Sequence, residues 1–518
     1  MYYLLCFTFL PFYFFTFKNM AGLSSLAKDT AIYGLSSIVG RFLNYLLVPL
    51  YTAKLSAASG GYGVITNVYA YTALLLVILT YGMETTFFRF ANKEGEDPKK
   101  VYSTTLTAVG FTSLLFVVIV LTFIGPISGA MGYADHPSYV WVMAIAVALD
   151  AFQCIPFAYL RYKKRPVKFA ALKLFNIVLT IALNLVFFLL LPALYDNGGA
   201  DSLVGKSYSP EVGVGYVFYI NLFCSASLMF CLLKELTGFR YVLDRALLRR
   251  MLSYSWPILV LGIAGILNQT ADKILFPYIY KNADAHAQLG IYGAASKIAM
   301  IMAMITQAFR YAYEPFVFGK SKDKDNRETY AKAMKYFLIF TLLAFLVVVG
   351  YMDILRHLIY WSGLKVVPIV MAAEIMMGVY FNLSFWYKLI DKTIWGAWFS
   401  GAGCLVLILV NVIFVPRYGY MACAWGGFAG YGTAMLLSYF VGQKHYPIAY
   451  PVKEMALYTG VALVMFAAMT ETNSNLPVWA ALAVNTLLIL LFTAMIVKRD
   501  LPLSGLPVIG KYFRKNKS

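Results

Sequence analysis

The sequence predicts an all-α, polytopic membrane protein of about fourteen transmembrane helices: two pseudo-symmetric six-helix lobes plus two extra C-terminal helices. Three observations lead there. Of 518 residues, 61% are hydrophobic and only 13% charged, where a soluble domain carries roughly 25% charged residues. Apolar runs of about 20 residues, the length of helix that crosses a bilayer, recur from end to end. One signature also occurs twice. Gly60-Gly61-Tyr62-Gly63 is followed by Tyr81 and Glu84, and Gly290-Ile291-Tyr292-Gly293 is followed at matching distances by Tyr311 and Glu314. Internal duplication is the build of many secondary transporters, with the substrate site between the repeats. The apolar runs are continuous rather than alternating, which excludes a barrel.

The spans fall at 30–53, 62–88, 103–125, 138–160, 169–192, 214–233, 252–280, 289–318, 336–352, 366–387, 393–415, 419–441, 455–470 and 478–497. Charge fixes their orientation. With the N-terminus inside, only Lys54, Lys206, Lys281, Arg356, Lys365 and Arg417 lie outside, and Arg41, Lys173, Lys273, Lys297 and Arg310 lie within spans. The remaining cations are cytoplasmic, which is the positive-inside asymmetry. It also accounts for the net charge of +19 without a nucleic-acid partner. The clusters 161–168, 234–250, 320–335 and 498–517 read as topology signals, with contact to anionic lipid headgroups a secondary reading.

The first lobe then covers residues 20–250 and the second 251–441. Residues 442–518 hold the last two spans and a basic cytoplasmic tail. The halves stay in step beyond the duplicated signature: Asn184-Leu185-Val186-Phe187 is matched by Asn411-Val412-Ile413-Phe414. Six spans per half make the repeats parallel, related by an axis along the membrane normal. The run Gly426-Gly427-Phe428-Ala429-Gly430 suits close helix packing or a local bend. Residues 1–19 are apolar and aromatic, with no basic residue ahead of the apolar run, unlike a signal peptide. Translation from Met20 is the preferred reading and a short interfacial segment the alternative.

Catalytic and metal chemistry find no foothold. The four histidines, His136, His286, His357 and His445, are scattered without ligand spacing. The six cysteines form no Cys-x-x-Cys pair, so neither a metal site nor a disulfide is implied. Val204-Gly205-Lys206-Ser207 ends like a phosphate-binding loop, but Ala200 stands where the leading glycine belongs. No Gly-x-Ser-x-Gly elbow occurs. The chain is expected to be no enzyme and to need no cofactor.

Charges inside the membrane are costly and by default mark function or pairing. Five are basic, named above, and five acidic: Glu84, Asp150, Asp272, Glu314 and Glu374. Arg310 and Glu314 share a helix face and can pair. Asp272 and Lys273 are adjacent, so they are expected to point apart. Lys173, near a span end, can snorkel. Arg41 sits mid-span, where snorkelling is hard. Lys297 and Arg310 correspond to the neutral Asn67 and Thr80 of the first half, so the second half alone supplies those cations. A cavity lined by cations suits an anionic cargo.

Ser253–Ile279 (SYSWPILVLGIAGILNQTADKILFPYI), Gly290–Met300 (GIYGAASKIAM), Ala308–Phe318 (AFRYAYEPFVF), Tyr380–Thr393 (YFNLSFWYKLIDKT), Asn411–Phe428 (NVIFVPRYGYMACAWGGF) and Ala31–Tyr51 together resemble the polysaccharide flippases. These are the oligosaccharide branch of the superfamily that includes multidrug and toxin extruders and the lipid II flippase. One departure is Lys273, where that family more often has arginine. The resemblance implies alternating access between two lobes. Its cargo would be an undecaprenyl-pyrophosphate-linked oligosaccharide, moved from the inner to the outer leaflet of a bacterial plasma membrane, with both termini cytoplasmic. On this reading Arg41, Lys273, Lys297 and Arg310 contact the headgroup, and Glu84, Asp272 and Glu314 serve ion coupling or gating. The partners are the lipid-linked oligosaccharide, membrane lipids and a polysaccharide polymerase or export machinery. Rival readings are a multidrug or toxin cation antiporter, a lipid II flippase, and, from another class, a membrane-embedded glycan polymerase or ligase.

Overall fold

The computed structural model describes residues 47–198, 208–237, 241–319, 326–355, 361–390 and 392–500, with a few isolated positions besides; side chains are described except at 311–319, Asn326 and Trp361. Arg41, the first nineteen residues and the C-terminal tail lie outside the described residues, as does the side chain of Glu314. Among the described residues there is no strand. The principal helices are α1 (Leu47–Lys54), α2 (Gly61–Thr80), α3 (Met83–Ala91), α4 (Pro98–Thr122), α5 (Pro137–Tyr162), α6 (Pro166–Leu185), α7 (Gly215–Cys231), α8 (Arg245–Ile279), α9 (Ala285–Gly319), α10 (Asn326–Gly350), α11 (Val367–Leu383), α12 (Ile394–Tyr418), α13 (Tyr420–His445), α14 (Val452–Asn475) and α15 (Val478–Arg499).

Eleven helical stretches are long and apolar enough to cross a membrane, and α7 is a shorter apolar helix. With the glycine-rich α13 they occupy thirteen of the fourteen expected positions; α1 covers the last residues of the first, whose remainder lies outside the described residues. Their outward faces carry large apolar side chains such as Phe111, Leu114 and Val118 of α4 and Leu405, Leu409 and Ile413 of α12. Such faces belong against lipid.

Local chemistry sets several boundaries. Asp97 caps α4 by accepting from Lys99 N at 3.0 Å, and Asp244 caps α8 by accepting from Leu247 N at 2.9 Å. The expected span 62–88 is not one continuous helix. Tyr81 and Gly82 take left-handed conformations, with φ of 31° and 72°, and the chain restarts as α3. Gly82 tolerates that conformation; Tyr81 is held there against its preference. The fifth span passes through a π-helical turn at Val186–Leu190. Within the α13 run, Gly426 and Gly430 serve packing, whereas Gly427 faces open space. A Cβ on Gly430 would lie 2.8 Å from Gly403 O of α12, and one on Gly403 would lie 2.6 Å from Gly430 O, so the two backbones meet directly.

The largest apolar core is continuous across both halves. It runs from Tyr51 and Tyr62 through Tyr216 to Leu289 and Tyr292, and on to Phe337 and Leu346. A second core at the other end of α2–α3 gathers Met83, Phe87, Tyr102 and Ile155 around Leu247 and Met251 of α8.

Helices α14 and α15 pack on α10 and are fastened at one end by charge. The Lys335 ammonium pairs with both Glu454 and Asp500, and Tyr458 Oη donates to Asp500. Burial opposes ionisation of Asp500, but hydrogen bonds from Lys335 and Tyr458 outweigh it and hold the carboxyl below its ordinary value. A depressed carboxylate contributes stability that is complete above its unfolded pKa and lost as pH falls through the folded value. The latch therefore holds at neutral pH and weakens only below about pH 4. Replacing Lys335 by methionine leaves two carboxylates without their cation. Thermal unfolding of the purified chain should show a loss of about 3 kcal/mol at neutral pH, shrinking only as the medium is acidified below about pH 4.

Candidate functional site

Helices α8 and α9 carry the second half's cations to the junction with the first half. Pro277 in α8 has no N–H to donate to the carbonyl of Lys273, four residues earlier, leaving that carbonyl unsatisfied within its own helix. Asn67 of α2 fills the vacancy: its Nδ2 donates to Lys273 O at 2.8 Å, and Tyr133 Oη donates to Asn67 Oδ1 at 2.8 Å. A proline in one half thus creates a polar tie to the other. Nearby, the hydroxyls of Tyr71 and Tyr278 meet at 2.7 Å, and Tyr278 Oη donates to Ala130 O at 3.1 Å.

Around this tie lies a buried charge cluster. Tyr292 Oη donates to Asp272 Oδ2 at 2.5 Å. Contrary to the expectation from adjacency, Asp272 and Lys273 do not point apart. Lys273 Nζ lies 3.1 Å from both Asp272 oxygens and also donates to Gln269 O at 2.8 Å. The four-carbon lysine stem is long enough to fold back along its own helix, which a spacing argument based on Cβ directions overlooks. The pair is recessed, at 21% and 5% side-chain exposure. Glu374 of α11 feels the charge of Lys273 and has a buried carboxylate oxygen with no hydrogen-bond partner. The second half is knit around them by Asn268, whose Nδ2 donates to Ser400 O at 2.9 Å, and by Tyr380, whose hydroxyl meets Ser400 Oγ at 3.0 Å.

Lys297 lies on α9, about one turn deeper than Gly293. Its ammonium is 5.7 Å from the ring centroid of Tyr45, in the first span. It is half-buried and makes no hydrogen bond or ion pair with any described residue; the charge acting on it is another cation, Lys273. Arg310 lies thirteen residues further along α9, about 20 Å at helical rise, with its guanidinium 4.5 Å over the ring of Phe381. The structure therefore brings Asp272, Lys273 and Lys297 together and sets Arg310 apart. Glu84 is elsewhere: it pairs with Arg161 and accepts from Cys154 Sγ at 3.0 Å, inside the first half. Arg41 and the Glu314 side chain fall outside the described residues.

The duplicated glycine signature is the seam between the halves. A Cβ on Gly63 would be driven into the carbonyl oxygen of His286, and one on Gly293 into Thr66 Oγ1. A Cβ on Gly290 would lie 2.9 Å from Gly63 N. Helices α2 and α9 thus meet backbone to backbone where both copies of the motif place their small residues. Tyr292, noted in the sequence only as part of the repeat, is also the partner of Asp272. Asn67, noted only as the neutral counterpart of Lys297, is the tie between the halves. Glu374 was visible as an intramembrane acid but had no motif to give it a role.

A family model described as polysaccharide biosynthesis protein matches residues 26–312, more than half of the chain. Among solved structures, the chain is similar to lipid II flippase MurJ in an inward closed conformation. The identity is 14% and the TM-score 0.68, over 90% of this chain and 98% of that one. It is similar to an inward-facing multidrug resistance MATE family transporter of the MOP superfamily, at 13% identity and TM-score 0.60, over 78% of this chain and 94% of that one. It is also similar to the MATE multidrug transporter DinF-BH, at 16% identity and TM-score 0.57, over 82% of this chain and 96% of that one. Identities this low show the shared fold alone. No curated protein matches the chain.

Proposed function

The chain belongs to the polysaccharide biosynthesis protein family, and from that premise we propose that it is a flippase for an undecaprenyl-pyrophosphate-linked oligosaccharide. It works by alternating access in a bacterial plasma membrane, with both termini cytoplasmic, and carries its cargo from the inner to the outer leaflet. The observation that supports this best is the Lys273–Lys297 pair. Two cations face the junction of the halves, and Lys297 has no counter-charge among the described residues. An ammonium taken from water without a partner is expensive. A site that keeps one is built to receive an anion, and a pyrophosphate between two sugars and a lipid tail is such an anion.

Each residue then has a role. Lys297 and Lys273 bind the headgroup, with Arg41 and Arg310 further along its path. Asp272 competes with the cargo for Lys273, so cargo binding frees a carboxylate that can take up a coupling ion. Glu84, held by Arg161, and Glu314 act at the inner gate. The polar headgroup passes through the shielded interior while the lipid tail stays in the bilayer. A polysaccharide polymerase or export machinery then consumes the delivered cargo.

Deletion of the gene tests this directly, with lipid-linked oligosaccharide assayed on each membrane face. Accumulation on the cytoplasmic face and loss of surface polysaccharide, both restored by the intact gene, is the expected result. Unchanged polysaccharide with altered sensitivity to toxic cations would overturn the proposal in favour of drug export.

A further inference from the structure

A second set of intramembrane charges lies wholly within the first half, away from the Lys273–Lys297 site. Asp150 is at the middle of α5, about 20 Å from either end of the helix. It is half-buried and accepts one hydrogen bond, from Ser225 Oγ of α7 at 2.7 Å to its Oδ1. Gln153 Nε2 fixes that neighbour by donating to Ser225 O at 2.7 Å. The cation nearest in effect is Lys173 of α6. Yet its ammonium makes no ion pair with Asp150; it sits 4.0 Å over the ring of Phe157. Lys173 neither snorkels freely nor neutralises the acid in this arrangement.

The titratable and charged groups around Asp150 come from four helices, while α4, which packs on α5 through Gly110 and Phe152, adds only uncharged side chains at this level. Tyr69 is on α2, Cys154 and Arg161 on α5, Lys173 on α6 and Cys224 on α7. One turn from Asp150, Cys154 Sγ donates to Glu84 Oε2 at 3.0 Å, and Glu84 pairs with Arg161 near the inner end. A broken line of polar groups thus runs from the cytoplasmic end to the membrane centre.

We propose that Asp150 is a proton-binding site of the first half, with Lys173 as its internal counter-ion. Two arrangements alternate. In one, Oδ2 carries the proton, Ser225 Oγ–H donates to Oδ1, and the Lys173 ammonium rests on Phe157. In the other, Oδ2 has released the proton to water and the ammonium swings to the carboxylate, so the new negative charge is neutralised and the pair's net charge falls from +1 to zero. The observed geometry matches the first: the ammonium is engaged by the ring and the carboxyl by a neutral hydroxyl. A metal cation fits the site poorly, because hard cations need several oxygen ligands, an ammonium stands nearby, and no group of three or more ligating side chains occurs among the described residues. Cycling between the two states during transport would couple export to the proton gradient; that step rests on the flippase reading, whereas proton binding itself does not.

Infrared difference spectra of the full chain in lipid vesicles, taken between acid and alkaline buffer, test it. The wild type should show a carbonyl band of a protonated carboxylic acid that disappears with rising pH and is absent in Asp150→Asn. In Lys173→Met the same band should persist at least one pH unit higher, because the cation that favours ionisation is gone, and Asp150→Glu should restore a titrating band. An Asp150→Asn spectrum identical to wild type, or an unshifted titration in Lys173→Met, would overturn the proposal. Loss of the band with normal polysaccharide in the gene-deletion strain would leave the proton site standing and reject the flippase reading instead.

Discussion

Replacing Gly63 by alanine should open the seam between the halves and, on the proposed orientation and flippase reading, expose it to the outer side and stop export. In the closed seam there is no room for a Cβ at this position, because the His286 carbonyl oxygen of α9 occupies it. That oxygen belongs to backbone, and backbone cannot step aside as a flexible side chain would. Gly290 and Gly293 pack the same face against Gly63 N and Thr66, so α9 has to withdraw as a unit. Overpacking of this kind costs about 1–3 kcal/mol, which lowers the population of the closed state by roughly five- to 150-fold relative to the open one. A carrier biased to one face cannot complete its cycle, whatever its affinity for cargo. The check uses Thr66→Cys in a background whose other cysteines are replaced. A membrane-impermeant thiol reagent should label the new thiol slowly with Gly63 in place and at least fivefold faster with alanine there, while polysaccharide export falls at least fivefold. Equal labelling in both would show that the seam opens freely in either case and that the glycines serve assembly alone.

The seam also shows how far the sequence could be read. The signature Gly-x-Tyr-Gly was visible twice, and its repetition pointed to two related halves. Its meaning was not visible, because repetition does not say that the two copies touch each other. Only the fold places Gly63 against His286 and Gly290. The positions of the spans among the described residues followed from apolar length, which the bilayer dictates. The break at Tyr81–Gly82 did not follow, since a left-handed pair within an apolar run leaves the hydropathy unchanged. Residues of the charge cluster were all present in the count of intramembrane charges, but their partners were not deducible. Asp272 and Lys273 pair because a lysine stem is flexible, and Asn67 reaches Lys273 O because Pro277 withholds an N–H. Each of these is a local rule whose consequence depends on which helix stands opposite. Among the cations assigned to the headgroup, Lys273 and Lys297 converge, Arg310 lies beyond them on Phe381, and Arg41 lies outside the described residues.

Replacing Lys297 by glutamine should separate function from stability more sharply than any other single change. The ammonium is half-buried at the junction, faces the like charge of Lys273, and has an aromatic ring at 5.7 Å as its described contact. For folding, such a group is a liability: its desolvation is offset by neither a carboxylate nor a hydrogen bond with a described residue. A neutral side chain of similar length should leave the thermal midpoint of the purified chain unchanged or raised. On the proposed flippase reading the same group attracts the anionic headgroup during transport. A charge-assisted hydrogen bond to phosphate in a low-dielectric site is worth about 1.5–3 kcal/mol, so its removal should lower export roughly ten- to a hundredfold at equal protein level. Arginine at the same position should keep partial activity, since it retains charge while changing the geometry of the donor. The opposite pattern, a destabilised chain that exports normally, would make Lys297 a packing residue, and the anion site would then have to be sought around Arg310.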